Sequence, residues 1–237
     1  MNIAVINASK LSANEVQLGC NVVASQLWWQ VAPAWNRTPW SMKFFPDGRF
    51  PAGYLELHIF NTSDEANALG YHGLTPQGRP YGRVFLDAGK WTVTASHEAI
   101  EMFGDAWCAS WTDMPDGSEV ADELGDPVEN DTYTLKLVTG EQAEVSNFLL
   151  ESWFRASEPP PYDYLAKLNK PFTMTRDGYM IVRKNGKTTQ IFGDSYPEEK
   201  KICKLHPASR TSRRLSVEPL CPPAKPVSVT IPVIGGN

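Results

Sequence analysis

His97, Glu98 and Glu101 stand in the run Thr92-Val-Thr-Ala-Ser-His-Glu-Ala-Ile-Glu-Met-Phe103, and their types and spacing suit a divalent cation. On a helix, residues four apart lie one turn apart on one face. His97 and Glu101 can therefore present an imidazole nitrogen and a carboxylate oxygen to the same ion. Two ligands do not hold a catalytic ion; a third protein ligand is needed, with one position left for water. The segment Val120-Ala-Asp-Glu-Leu-Gly-Asp-Pro-Val-Glu129 offers Glu123 or Asp126 for that place. A solvated acidic loop would be polar throughout. Here Leu124, Pro127 and Val128 interleave with the acids, which suits a segment packed on the core with selected carboxylates turned inward. Read as one helical turn, it puts Glu123 and Asp126 together.

These residues need a scaffold. Residues 2 to 7 read as a buried strand, and Ser12-Ala-Asn-Glu15 is a capping box that opens a helix to about Trp29. Val16, Cys20, Val23, Leu27 and Val31 fall at three- and four-residue steps, so one face of that helix packs on a sheet. Trp28, Trp29, Trp35 and Trp40 read as core or loop anchors. Strands are expected at Tyr54 to Phe60 and Tyr81 to Asp87, the second after the turn-rich stretch Gly73 to Pro80. The motif helix follows from Thr92 to about Phe103, with threonines placed to cap it and Gly104 placed to end it. Beyond it, Thr132 to Val138 and Glu144 to Phe148 form a hairpin around Gly140. A second hairpin joins Tyr179–Lys184 to Lys187–Phe192 through Asn185-Gly186, a type I′ pair. Between the hairpins Glu158-Pro-Pro-Pro161 makes a stiff loop, and no internal repeat is present. The reading is one α+β domain over 1–193 with a mixed sheet. An irregular Pro-rich and basic extension over 194–237 would be poorly ordered or bound to a partner.

A chain of 237 residues, 42% apolar and 21% charged, can bury a real core. Its mild net charge of -5 gives no general electrostatic case for a nucleic-acid or anionic-membrane partner, and nucleic-acid binding has only Arg210, Arg213, Arg214 and neighbouring lysines in its favour. Cys20, Cys108, Cys203 and Cys221 contain no CxxC pair, so neither a thiolate zinc ribbon nor a dense disulfide framework is encoded. The first residues lack the pattern of a secretion signal, and no run of roughly eighteen apolar residues occurs, so no membrane span is expected. The expected location is cytoplasmic.

HExxE is a near relative of HExxH, in which the Glu after the first ligand takes a proton from the attacking water and passes it to the leaving amine. The residues here resemble the zincin-like metallopeptidases, particularly the glutamate-zincins, where a second helix supplies a Glu ligand. Ser96-His-Glu-Ala-Ile-Glu101, Glu123-Leu-Gly-Asp-Pro-Val-Glu129, Tyr133, Val145-Ser-Asn-Phe148 and Trp153-Phe154 are similar to blocks in a set of phage and bacterial proteins. So are Ala68-Leu-Gly-Tyr-His72 and Gly78-Arg-Pro-Tyr81. The likeness covers roughly residues 1 to 193. It implies a zincin-like domain, a divalent metal (zinc first) and hydrolysis of a peptide or protein substrate.

Carried over residue by residue, it implies His97 and Glu101 as ligands, Glu98 as general base and Glu123 as third ligand. Asp126 is the rival for that third place, and otherwise orients His97 through its other ring nitrogen. The candidates for an oxyanion donor are Tyr133, Tyr71 and His72, with Tyr133 taken as the catalytic one. His72 and His58 otherwise read as an exposed turn histidine and a structural histidine. The strand over 82–86 would border the motif helix and pair with an extended substrate. Glu101 in the place of a second His hardens the ligand set, admits manganese, iron or calcium, and weakens the acidity of bound water. The alternative is a non-catalytic phage structural or interaction protein with a structural or vestigial metal site, its tail anchored to a phage or host protein.

Overall fold

The computed structural model describes residues 1–64, 68–87 and 89–196. The apolar run at the amino terminus forms β1 (Asn2–Ala8), an interior strand of a five-stranded mixed sheet with β2 (Ser41–Phe44), β3 (Tyr54–Phe60), β4 (Gly70–Leu74) and β5 (Pro80–Phe85). Its order is β2-β1-β3-β5-β4. The first four of these strands run parallel, and β4 alone runs antiparallel, against β5. Two helices cover the sheet: α1 (Ala13–Gln26) packs against β1 and β2, and α2 (Trp91–Asp105) against β4 and β5, with the helices touching each other.

Helix α1 starts as its sequence dictates: the Ser12 side chain accepts from the Glu15 N–H, and Glu15 returns the bond to the Ser12 N–H. It runs on through a π-helical turn, Leu27–Val31, which exposes the ring of Trp29 and half-exposes that of Trp28; only Trp35, of the four tryptophans read as anchors, is buried. Ile3, Val5, Leu57, Ile59 and Val84 from the sheet meet Val16, Cys20, Val23, Ala95, Ala99 and Met102 from the helices in one core. Burial pushes the Cys20 thiol up to about 12, so it stays a protonated core residue.

The second half of the chain adds two smaller β units. A four-stranded antiparallel sheet, ordered β11-β10-β7-β6, comprises β6 (Trp111–Asp113), β7 (Glu119–Ala121), β10 (Tyr179–Lys184) and β11 (Lys187–Phe192). The hairpin of β8 (Thr132–Lys136) and β9 (Gln142–Ser146) lies against both helices. Asn185 and Gly186 both take positive φ, 51° and 76°, as a type I′ turn requires. No helix of the described residues is long and apolar enough to cross a membrane.

Several expectations change. Residues 70–74, read partly as turn, form the edge strand β4; the strand over 80–85 is interior, paired on both sides. The threonines do not cap α2: its N-cap is Lys90, with no side-chain bond, and the Thr92 hydroxyl donates instead to the Glu144 carbonyl. Gly104 does not end the helix. It lies inside the last turn, where a Cβ would stand 2.6 Å from Leu124 Cγ, so glycine there admits the side chain that docks the acidic segment. That segment is no helical turn either: Glu123 follows β7 in irregular backbone, Leu124 and Gly125 bend, and Asp126 opens a 3₁₀ turn, Asp126–Val128. The packed chain continues past residue 193, since the Tyr196 ring buries itself against Tyr179 and Phe192. The remainder of the basic extension, with His206 and its arginines, lies outside the described residues.

Candidate metal centre

From Thr94 to Phe103 every residue of α2 is buried, because the helix is enclosed by the sheet, the β8–β9 hairpin and the 122–128 segment. Ala95 and Ala99 keep one side close to the core, while His97 and Glu101, four apart, share another. His97 Nε2 lies 3.1 Å from Glu101 Oε1 and 3.4 Å from Asp126 Oδ1. On the far side of the same carboxylate, His72 Nδ1 of β4 lies 3.4 Å from Glu101 Oε2 and 3.5 Å from Glu98 Oε2. Glu123 completes that side: ligand atoms of His72, Glu101 and Glu123 all fall within 4.8 Å of one another, as do those of His97, Glu101 and Asp126.

The donor set fits a cation. Two ligand atoms at about 2.1 Å from one tetrahedral ion stand roughly 3.4 Å apart, the spacing observed here, and imidazole with carboxylate is a combination zinc and its divalent neighbours accept. His72, Glu101 and Asp126 are fully buried, Glu98 and Glu123 are 2% exposed, and His97, at 7%, is the residue nearest to solvent.

Backbone geometry sets these side chains. A Cβ on Gly125 would stand 2.6 Å from His97 Nδ1, so the ring packs flush on a glycine and directs Nε2 towards Glu101 and Asp126. Gly70 does the same for the neighbouring turn, where a Cβ would meet Thr94 at 2.4 Å and Glu98 Oε1 at 3.2 Å. Tyr179 of β10 hydrogen-bonds to the Asp126 side chain. Burial first, and the charges of Asp126 and Glu129 after it, hold its hydroxyl well above the usual tyrosine value, so it remains a protonated donor.

The structure thus brings together His97, Glu98, Glu101, Glu123 and Asp126 as the sequence arranged them, but sorts them differently. Asp126 joins Glu101 at Nε2 of His97, and not at the other ring nitrogen. Glu123 stands with His72. Tyr133 is elsewhere: its hydroxyl donates to Gln30 Oε1 at 2.5 Å and accepts from Gln26 Nε2 at 3.0 Å. The Tyr71 hydroxyl donates to Asp64. His58 pairs with Glu56, as a structural histidine would.

The sequence does not mark two members of this centre as such: it offers His72 only as an oxyanion donor or an exposed turn histidine, and Tyr179 only as a strand residue. His72 sits in Gly-Tyr-His-Gly, which looks like a turn, and only its pairing with Gly82 in β5 reveals a buried strand. Tyr179 is one apolar position among several in a hairpin strand, and nothing local distinguishes it. The chain matches no protein-family model, no curated protein and no solved structure.

Proposed function

We propose that the chain is a zincin-like, metal-dependent hydrolase that cleaves a peptide bond with Glu98 as general base. One observation carries this reading: His97, Glu101 and Asp126 converge within ligand distance while Glu98, the next residue along the helix from His97, is buried beside them. The bound ion, zinc first, would acidify water and polarise the scissile carbonyl. His97, Glu101 and Asp126 would hold it. Glu98 would accept the proton of the attacking water and return it to the leaving amine, a shuttle worth about 10²- to 10⁴-fold in rate. Tyr133 has no part, because its hydroxyl is committed to two glutamines. Pairing of an extended substrate belongs to β4, the edge strand beside the motif helix, and not to residues 82–86.

Burial favours a second reading. With every member at most 7% exposed, the centre resembles a closed structural site that ties α2, β4 and the 122–128 segment together. The experiment is purification without chelators, metal analysis, and a broad peptide library tested on wild type, Glu98→Gln and His97→Ala. The hydrolase reading expects metal in wild type and in Glu98→Gln, cleavage by wild type alone, and metal loss in His97→Ala. Metal without cleavage, or equal cleavage by Glu98→Gln, establishes the structural reading. A metal-free wild type overturns both.

A further inference from the structure

The Glu101 carboxylate faces two ways. Oε1 points to His97 and Oε2 to His72, and each imidazole has a second carboxylate of its own, Asp126 for His97 and Glu123 for His72. We infer that the centre binds two divalent cations bridged by Glu101, one held by His97, Glu101 and Asp126 and the other by His72, Glu101 and Glu123. The inference rests on the metal-binding part of the function proposed above and adds the second ion, which the helix motif does not foretell.

Three observations carry it. First, the donors do not pool into one sphere: they form two sets of three that share only Glu101, each set closing within 4.8 Å. A carboxylate bridging through both oxygens holds ions about 3.5–4 Å apart, the separation of two-metal centres. Second, each set repeats the same chemistry, one imidazole nitrogen and two carboxylates, so the case that admits an ion at His97 admits one at His72 equally. Third, the charge of the cluster suits two ions. Glu98, Glu101, Glu123 and Asp126 are all buried around the two imidazoles, and ionised carboxylates gathered out of water call for nearby positive charge. With all four ionised, one divalent ion would offset two of the negative charges and two ions would offset all four. Glu98 Oε2, 3.5 Å from His72 Nδ1, then borders the second ion. The proton carrier would thus stand next to a two-ion centre, in the position of a group that serves both.

The test strips the full chain with a chelator, re-titrates it with Mn²⁺ alone, and reads metal per chain by mass spectrometry and the ion pair by electron paramagnetic resonance. Two ions per chain and an exchange-coupled Mn²⁺ pair are expected. His72→Gln and Glu123→Gln should each halve the metal content and abolish the coupling, while leaving the ion at His97; Asp126→Asn should halve it from the other side. One ion per chain in wild type, lost in His97→Ala, overturns the inference and leaves the proposed function standing. Two ions with no coupling overturn the bridge through Glu101. No ion at all overturns the proposed function itself. Should a buried variant fail to fold, the wild-type stoichiometry and coupling decide alone.

Discussion

Ser96 and His97 are neighbours on α2, yet they open onto two buried polar regions of opposite character. On the Ser96 side the groups are neutral and complementary. The Ser96 hydroxyl donates to Gln26 Oε1 at 2.7 Å and accepts from the Ser146 N–H at 2.9 Å, while Gln26 Nε2 donates to the Ser146 carbonyl at 2.8 Å and to Tyr133. Such a network closes on itself and pins α1, α2 and β9 without outside help. On the His97 side, two imidazoles meet carboxylates at 3.1–3.5 Å, with Glu101 between them. Asp163, a buried carboxylate outside this centre, accepts from Asn147 Nδ2, Lys167 N–H and Leu168 N–H at 2.7–3.0 Å. The difference separates scaffold from site. Asp163 is satisfied by N–H groups, whereas around His97 and His72 acids gather on imidazoles, as the proposed cation site requires.

The largest expected effect follows from removing the proposed cation. A free ion present at a thousandfold its dissociation constant contributes about 4 kcal/mol. In a domain of this size that is roughly 10 °C in Tm. Differential scanning calorimetry before and after chelation measures it, and an unchanged Tm would remove the distinction between the two regions. Next comes the scaffold side. Gln26→Leu deletes the partner of Ser96 and Tyr133 together and should cost about 3 kcal/mol in urea unfolding, since it strands buried groups. The metal content of that variant should equal wild type; a fall in it would mean that the two regions are energetically one.

The contrast also explains what a single sequence discloses. His97 and Glu101 were legible because the helix period is local and fixes which residues share a face. Asp126 and Glu123 were legible as a pair because Leu124 and Val128 mark their segment as packed, yet their division between two histidines depends on where β4 lies. That strand is placed by its register with β5, Gly70 against Val84 and His72 against Gly82, a non-local fact with no periodic signature in five residues. The capping box at Ser12 and the Asn185-Gly186 turn were legible for the same local reason as the motif. Gly104 misled because glycine near a helix end serves equally as a stop or as room for a neighbour, and Leu124 decides which.

A finer test of the site side is Gly125→Ala. Its Cβ would press on His97 Nδ1 at 2.6 Å, and the ring can yield only by swinging Nε2 out of line with Glu101 and Asp126. Metal affinity by competition with a chromogenic chelator should fall about 10- to 100-fold, the usual range for a disturbed ligand support. Tyr179→Phe, which removes the hydroxyl bonded to Asp126, should lower affinity by about 10-fold. If Gly125→Ala binds metal as wild type does, His97 is not held by that backbone.

The smallest effect belongs to an ion pair outside both regions, and it shows what burial contributes. Arg183 donates through Nε and Nη2 to the two oxygens of Glu119, at 2.6 and 2.5 Å, with its guanidinium 4.3 Å from the centre of the Trp111 ring. That contact holds the Glu119 carboxyl below its ordinary value. A group depressed in the folded state stabilises above its unfolded pKa, about 4.3, and loses that contribution as pH falls through the lower folded value. The Tm of wild type should therefore exceed that of Glu119→Gln slightly at neutral pH, and the gap should close on acidification below about pH 4. High salt should shrink the same gap, because the pair is only half-buried and water screens it. Arg183 keeps its place over Trp111 in the variant, so the measurement isolates the charge. A gap that persisted at low pH would assign the effect to packing, and the pair would then offer no surface reference for the buried carboxylates around His97 and His72.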